Sequence, residues 1–201
     1  MLYKKIFNDE FLNKFGDYKE KISNIILDDN CYEIDVEKIA NSCEVSLKYD
    51  GIESSGFGIN NEVHSDYDQK IIIVNKFNSD YIQKFTIASE LGHIVLGHKK
   101  TLDRFCDKPE YKDTIYKMNK ILANKFAIEL IMPKKLVKEV LNNSINQLNY
   151  SISQNFYDDD IHSLVVVSAK SMGVSTQAFN YRIKDLGVFV DSINWKIYRG
   201  Y

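Results

Sequence analysis

Between Phe85 and His98 the chain reads FTIASELGHIVLGH, which gathers a hydroxyl (Ser89), a carboxylate (Glu90) and two imidazoles (His93 and His98) into one short stretch. Ser89 and His93 are four residues apart, about 40° around a helix axis, so hydroxyl and imidazole would stand side by side. A nucleophile next to a base is the start of serine-hydrolase chemistry, and Lys120 is an alternative base. That chemistry also needs an acid to orient the base and donors for the oxyanion, and nothing supplies either. Metal ligation is the other chemistry these residue types allow. Among the further donors His64, His162, Cys106, Asp103, Glu110 and His98, only His98 has a local argument, because it follows His93 by five residues just after Gly97.

The element that must position these groups is a helix from Asp80 to Leu96, with Ser79 as its cap, Ile82, Phe85, Leu91 and Val95 on related faces, and Gly97 at its end. Before it, the pattern predicts helices over 17–28 and 35–43, the second started by Asp35 with Val36, Ile39 and Ala40 turned inward. The period then changes. Val45, Leu47 and Tyr49 alternate with polar neighbours, Gly51, Gly56 and Gly58 mark turns, and Ile71, Ile72, Ile73 and Val74 form an apolar run, which together predict a small antiparallel or mixed sheet.

After a charged loop over 99–113, a helix near 115–131 stops at Pro133, and a short helix follows over 134–142. Two further helices, about 161–172 and 176–186, are joined by Gly173-Val174-Ser175, and a closing strand is expected over 188–198. The fold class expected is α+β, with a core over 1–142 and a helical annex over 143–201.

The stretch 85–98 resembles the active-site helix of the ImmA/IrrE family of zinc metallopeptidases, in which a HExxH motif normally places a His at the position of Ser89. The later Ala123-Asn124-Lys125-Phe126-Ala127 and Leu130-Ile131-Met132-Pro133 resemble that family's ExxANxFAxxLLMP pattern, with Lys120 where its Glu stands. Residues 35–47, Ser55-Gly56-Phe57-Gly58 and Ile71–Asn75 look like its early helix and sheet. The resemblance implies a zincin-like fold, Glu90 as general base on a zinc-bound water, and His93 as a metal ligand. Ser89 and Lys120 would then be vestigial ligand positions, with His98 and Asn124 in the cleft.

A neutral hydroxyl is a poor zinc ligand, and an ammonium only donates hydrogen bonds and repels a dication. Glu129 cannot replace the missing carboxylate, because it lies nine residues beyond Lys120 and about half a turn out of phase. The expectation is therefore no bound cofactor, with zinc only if an unforeseen ligand completes the site. Lys120 has two possible fates: it fills the metal's place and pairs with Glu90, or it reaches water.

The resemblance implies a protein partner, a helix-turn-helix repressor or an antitoxin, in control of a mobile element, a stress response or a toxin–antitoxin pair. An active peptidase that cleaves a repressor is the alternative. Residues 161–187 are also spaced like a helix-turn-helix, but their second helix offers only Arg182 and Lys184 against Asp185, too few cations for ordinary groove binding. DNA is accordingly not the expected partner.

The 201 residues carry a formal charge of −2, which gives no global footprint for nucleic acid or anionic membrane. The first fifteen residues mix charges with single apolar side chains, unlike a signal peptide or an anchor, and Cys31, Cys43 and Cys106 lack any CxxC pair. A cytoplasmic protein with reduced thiols is expected. Phe7, Phe11, Phe15 and Tyr18 recur at helical intervals, as either a packed face or a partner-binding stripe.

Overall fold

A computed structural model describes residues 1–51, 66, 68–98 and 109–189. The chain forms two compact units, one of Leu2–Ile25 with Asp35–Ile131, the other of Met1, Ile26–Ile34 and Met132–Tyr201. The division expected at 142/143 falls inside a continuous helix, Lys134–Gln147.

In the first unit the N-terminal aromatics are core. Phe7, Phe11 and Phe15 are all buried, and Phe11 stacks on Phe126 with ring centroids 5.1 Å apart, a contact of the packed kind the spacing allowed. They do not sit on one long helix. The segment breaks into a turn of 3-10 helix at Tyr3–Lys5, then α1 (Asp9–Asn13), started by Asn8 accepting from the Phe11 N–H at 2.7 Å, and α2 (Lys19–Ser23). Gly16 at φ +53° makes the bend between them, so the helix expected over 17–28 is confined to its first part.

α3 (Val36–Ser42) is capped by Asp35, whose carboxylate accepts from the Lys38 N–H at 2.8 Å, and it buries Val36, Ile39 and Ala40 as its spacing predicts. β1 (Ser46–Asp50) and β2 (Ile71–Asn75) pair in parallel, with Leu47 opposite Ile72. The isolated bridge between Asp66 and Ile71 is antiparallel. Ile72 and Val74 face the core and are fully buried.

α4 (Asp80–Val95) packs against α5 (Pro109–Ile131). Its buried face is Ile87, Ala88, Leu91 and Gly92, while Ile82, Phe85 and Val95 are only half-buried, so the inward face is rotated from the one the sequence suggested. Ser79 holds the N-cap position, but its side chain makes no capping bond; the Ile82 and Gln83 N–H groups return to its carbonyl. α5 begins at Pro109, inside the expected loop, because proline suits a first helical position where no N–H is needed.

The second unit holds α6 (Lys134–Gln147), α7 (Asp158–Ser171) and α8 (Thr176–Asp185). Ile145, Phe156 and Leu164 form a core cluster, and the buried Ser144 and Ser168 hydroxyls meet at 2.8 Å, satisfying each other where neither reaches water. Ser175 caps α8 by accepting from the Ala178 N–H at 3.1 Å. The expected strand beyond Phe189, the Ser55–Gly58 segment and the loop over 99–108 lie outside the described residues. No described helix is long and apolar enough to cross a membrane.

Candidate functional site

α4 ends on a glycine at positive φ. Gly97 has φ +68°, its N–H bonds to the Ile94 carbonyl at 3.1 Å, and the His98 N–H bonds to the His93 carbonyl at 2.9 Å. This pair of bonds is the Schellman arrangement, which brings the residue three from the helix end next to the residue two past it. Elsewhere those positions pair apolar side chains; here they pair two imidazoles.

The His93 and His98 rings meet edge to face, with centroids 5.0 Å apart and their Nδ1 atoms at 3.2 Å. One Nδ1–H donates to the other ring's unprotonated Nδ1, so the two rings cannot both be imidazolium in this contact. Burial, then the neighbouring His98, then the charge of Lys120 lower His93 to about 4, and burial lowers His98 as well. Both imidazoles are therefore neutral near pH 7.

One turn earlier, the Ser89 hydroxyl donates to the Asn124 amide oxygen on α5 at 3.0 Å. The two helices come close because Gly92 lies between these contacts; a Cβ there would sit 2.9 Å from the Phe126 ring and 3.1 Å from the Ala123 carbonyl. Glu90 is half-buried and has an intramolecular interaction of its own. Lys120 is exposed on α5, so of its two possible fates it takes the one in water, while its charge still reaches His93.

The structure thus brings together Ser89 with Asn124 and His93 with His98, and sets Lys120 at the edge of the same helix pair. Glu129 lines a groove with Leu122 and Lys125, away from Lys120, as its helical phase requires. His162 lies on α7 of the other unit. His64, Asp103, Cys106 and the Glu110 side chain are outside the described residues. The hydroxyl and amide pair is a serine–asparagine contact rather than a serine–base contact, so Ser89 has no activating base here.

Sequence reasoning missed two things. Gly92 is required for the helix approach, and a glycine inside an otherwise apolar helix was the available signal. The His93–His98 pairing was also legible in principle, since Gly97 with helical residues before it specifies which side chains the cap brings together.

The family resemblance implies zinc at positions 89, 93 and 120. The donor set fails that test: a hydroxyl already used by Asn124, one imidazole facing another, and an exposed ammonium do not form a divalent-ion site. Among the described residues no cluster of three or more His, Cys, Asp or Glu side chains could hold a metal ion.

The model of the IrrE N-terminal-like domain, a peptidase family, matches residues 45–184, which includes α4, α5 and most of the helices that follow. No curated protein matches the chain.

Proposed function

The chain belongs to the IrrE N-terminal-like domain family, and from that membership we propose that it is a metallopeptidase-fold protein with a zincin-like layout whose hydrolytic machinery has degenerated. Its cleft, at Ser89, His93, His98 and Asn124, binds a protein partner, a helix-turn-helix repressor or an antitoxin. The setting is control of a mobile element, a stress response or a toxin–antitoxin pair. The observation that carries this reading is the pairing of Ser89 with Asn124 at 3.0 Å, because the position of a first metal ligand is used to tie α4 to α5. Glu90 remains where a general base would stand, but without a metal-bound water it has nothing to activate.

A role in reading DNA through 161–187 is not favoured. Arg182, one of the two cations available to it, is buried, donating from Nε to the Met132 carbonyl and from a terminal nitrogen to Asp185, both at 2.9 Å. A guanidinium held this way does not neutralise phosphate.

The test is metal content of protein purified without chelator, paired with cleavage of a candidate helix-turn-helix repressor, before and after Glu90→Gln. Substoichiometric zinc and no Glu90-dependent cleavage are expected. Stoichiometric zinc with cleavage lost in Glu90→Gln would establish an active peptidase instead. The Ser89→His, Lys120→Glu double variant should gain zinc, since it restores an imidazole and a carboxylate at the implied ligand positions.

A further inference from the structure

The Ser89–Asn124 bond uses only one half of an amide. Ser89 donates to the Asn124 carboxamide oxygen at 3.0 Å, which turns the NH2 to the other side, and among the described residues nothing accepts from that NH2. Lys120 stands four residues earlier on α5, one turn away and about 40° around the axis, so its ammonium and the amide share a face of the helix. It is exposed and has no acceptor among the described residues either, whereas Lys117, nearby on the same helix, is paired with Asp113 at 2.6 Å. The Lys120 charge is felt at His93, so the ammonium stands on the cleft side of α5.

The other polar groups of the cleft do not answer these donors. His93 and His98 are neutral and hydrogen-bonded to each other, and add no charge. Glu90 is half-buried, has an interaction of its own, and lies about 100° around α4 from Ser89, off the face that meets Asn124. A cation and an amide NH2 are left one turn apart at the edge of the helix pair. A carboxylate is their complement: it only accepts, it carries a single negative charge, and it has one oxygen for each donor. A phosphate monoester, with nearly twice that charge, would call for more than the one cation present.

We propose that the cleft takes a carboxylate of its protein partner, one oxygen accepting from the Asn124 amide and the other from the Lys120 ammonium. A site at which the family resemblance implies a bound cation then binds an anion instead. The proposal rests on the partner-binding reading above and names the group that this cleft recognises. An Asp or Glu side chain and a chain's C-terminus present the same chemistry to it.

The probes are two pairs of N-acetylated tripeptides. In one pair the C-terminus is a free carboxylate or an amide; in the other the C-terminus is an amide and the central residue is Glu or Gln. Each is titrated at constant ionic strength into the full isotope-labelled chain, before and after EDTA treatment, and the Asn124 side-chain NH2 signals are followed by NMR. At least one charged peptide should give a saturable shift that its neutral counterpart does not, with or without EDTA. Whichever charged peptide binds more tightly tells a side chain from a C-terminus. Lys120→Gln should weaken the binding about fivefold, whereas Lys125→Gln, an exposed lysine on another face of α5, should leave it unchanged. Neither substitution should move the unfolding midpoint, since both side chains are exposed.

Equal shifts from charged and neutral peptides, no shift from either charged peptide, or an affinity indifferent to Lys120→Gln would overturn the proposal. Binding that EDTA abolishes would assign the carboxylate to a bound metal, and would overturn the non-hydrolytic reading with it. Failure of the peptide test in the EDTA-treated and untreated chain alike leaves that reading standing.

Discussion

α4 and α7 end on the same backbone device in the two units, and what stands over it differs. Gly173, at φ +60°, closes α7 as Gly97 closes α4, and the Val174 N–H returns to the Ala169 carbonyl at 3.1 Å. Ala169 and Val174 are apolar and buried, the usual filling for this cap, whereas His93 and His98 occupy the equivalent positions at the end of α4. The cations nearby also differ: Arg182 is buried with two acceptors, and Lys120 is exposed. One helix pair spends its polar groups on its own structure; the other leaves chemistry-bearing groups where apolar packing would have served. The contrast teaches that the cap geometry is a scaffold, and that the residues placed on it decide whether it is core or site.

The largest effect that could break this comparison comes from the α4–α5 contact. Gly92→Val should cost about 3 kcal/mol in urea unfolding, because a branched side chain meets both the Phe126 ring and the Ala123 backbone, and backbone cannot swing aside. A cost under about 1 kcal/mol would mean that the helices separate easily and that the Ser89–Asn124 contact is incidental.

Next is the pair of cations. Arg182→Ala should cost about 2 kcal/mol, since it leaves the Met132 carbonyl unpaired in a buried position. Lys120→Ala should stay within about 0.5 kcal/mol, as expected of an exposed side chain. Equal effects would erase the distinction between a structural and a solvent-facing cation.

Gly173→Ala follows, at about 1–2 kcal/mol from the left-handed backbone alone. An added Cβ would also fall 2.2 Å from the Glu33 carboxylate, which must move away. In a Glu33→Ala background the part due to that collision should vanish, and the two substitutions should be non-additive.

Much of this was legible in the chain itself. Asp35 caps the helix it was expected to start, Gly97 ends α4 as expected, and the expected joint at Gly173-Val174-Ser175 stops α7 and caps α8, because a capping side chain or a left-handed glycine acts within a few residues and needs no tertiary partner. The N-terminal segment was less legible: Phe7, Phe11 and Phe15 keep helical spacing while the backbone bends at Gly16, since contact with Phe126 on a distant helix decides where the rings go. α5 starting at Pro109 followed a local rule that competes with reading proline as a breaker. At the site, the substitutions Ser89 and Lys120 could be named from the family resemblance, but the Ser89–Asn124 bond could not, because it depends on how two helices are set against each other at Gly92.

The smallest expected effect bears on whether Lys120 belongs to the site at all. His93 titrates in the folded chain near 4, below its ordinary value of 6.5, because burial, His98 and Lys120 all oppose its protonation, in that order. Above pH 6.5 neither folded nor unfolded chain holds this proton, and the stability contribution is fully present. Between 6.5 and about 4 the unfolded chain takes up a proton that the folded chain refuses, so stability falls through that window and levels off below it. His98 is lowered too and adds to the loss with the same sign. NMR titration of the imidazole Cε1–H signals should place the His93 midpoint higher in His98→Gln and, by a smaller amount, in Lys120→Gln. If Lys120→Gln leaves the midpoint unmoved while His98→Gln raises it, the lysine charge does not reach the imidazole pair. The contrast with Arg182 then reduces to one buried cation and one surface residue with no part in the cleft.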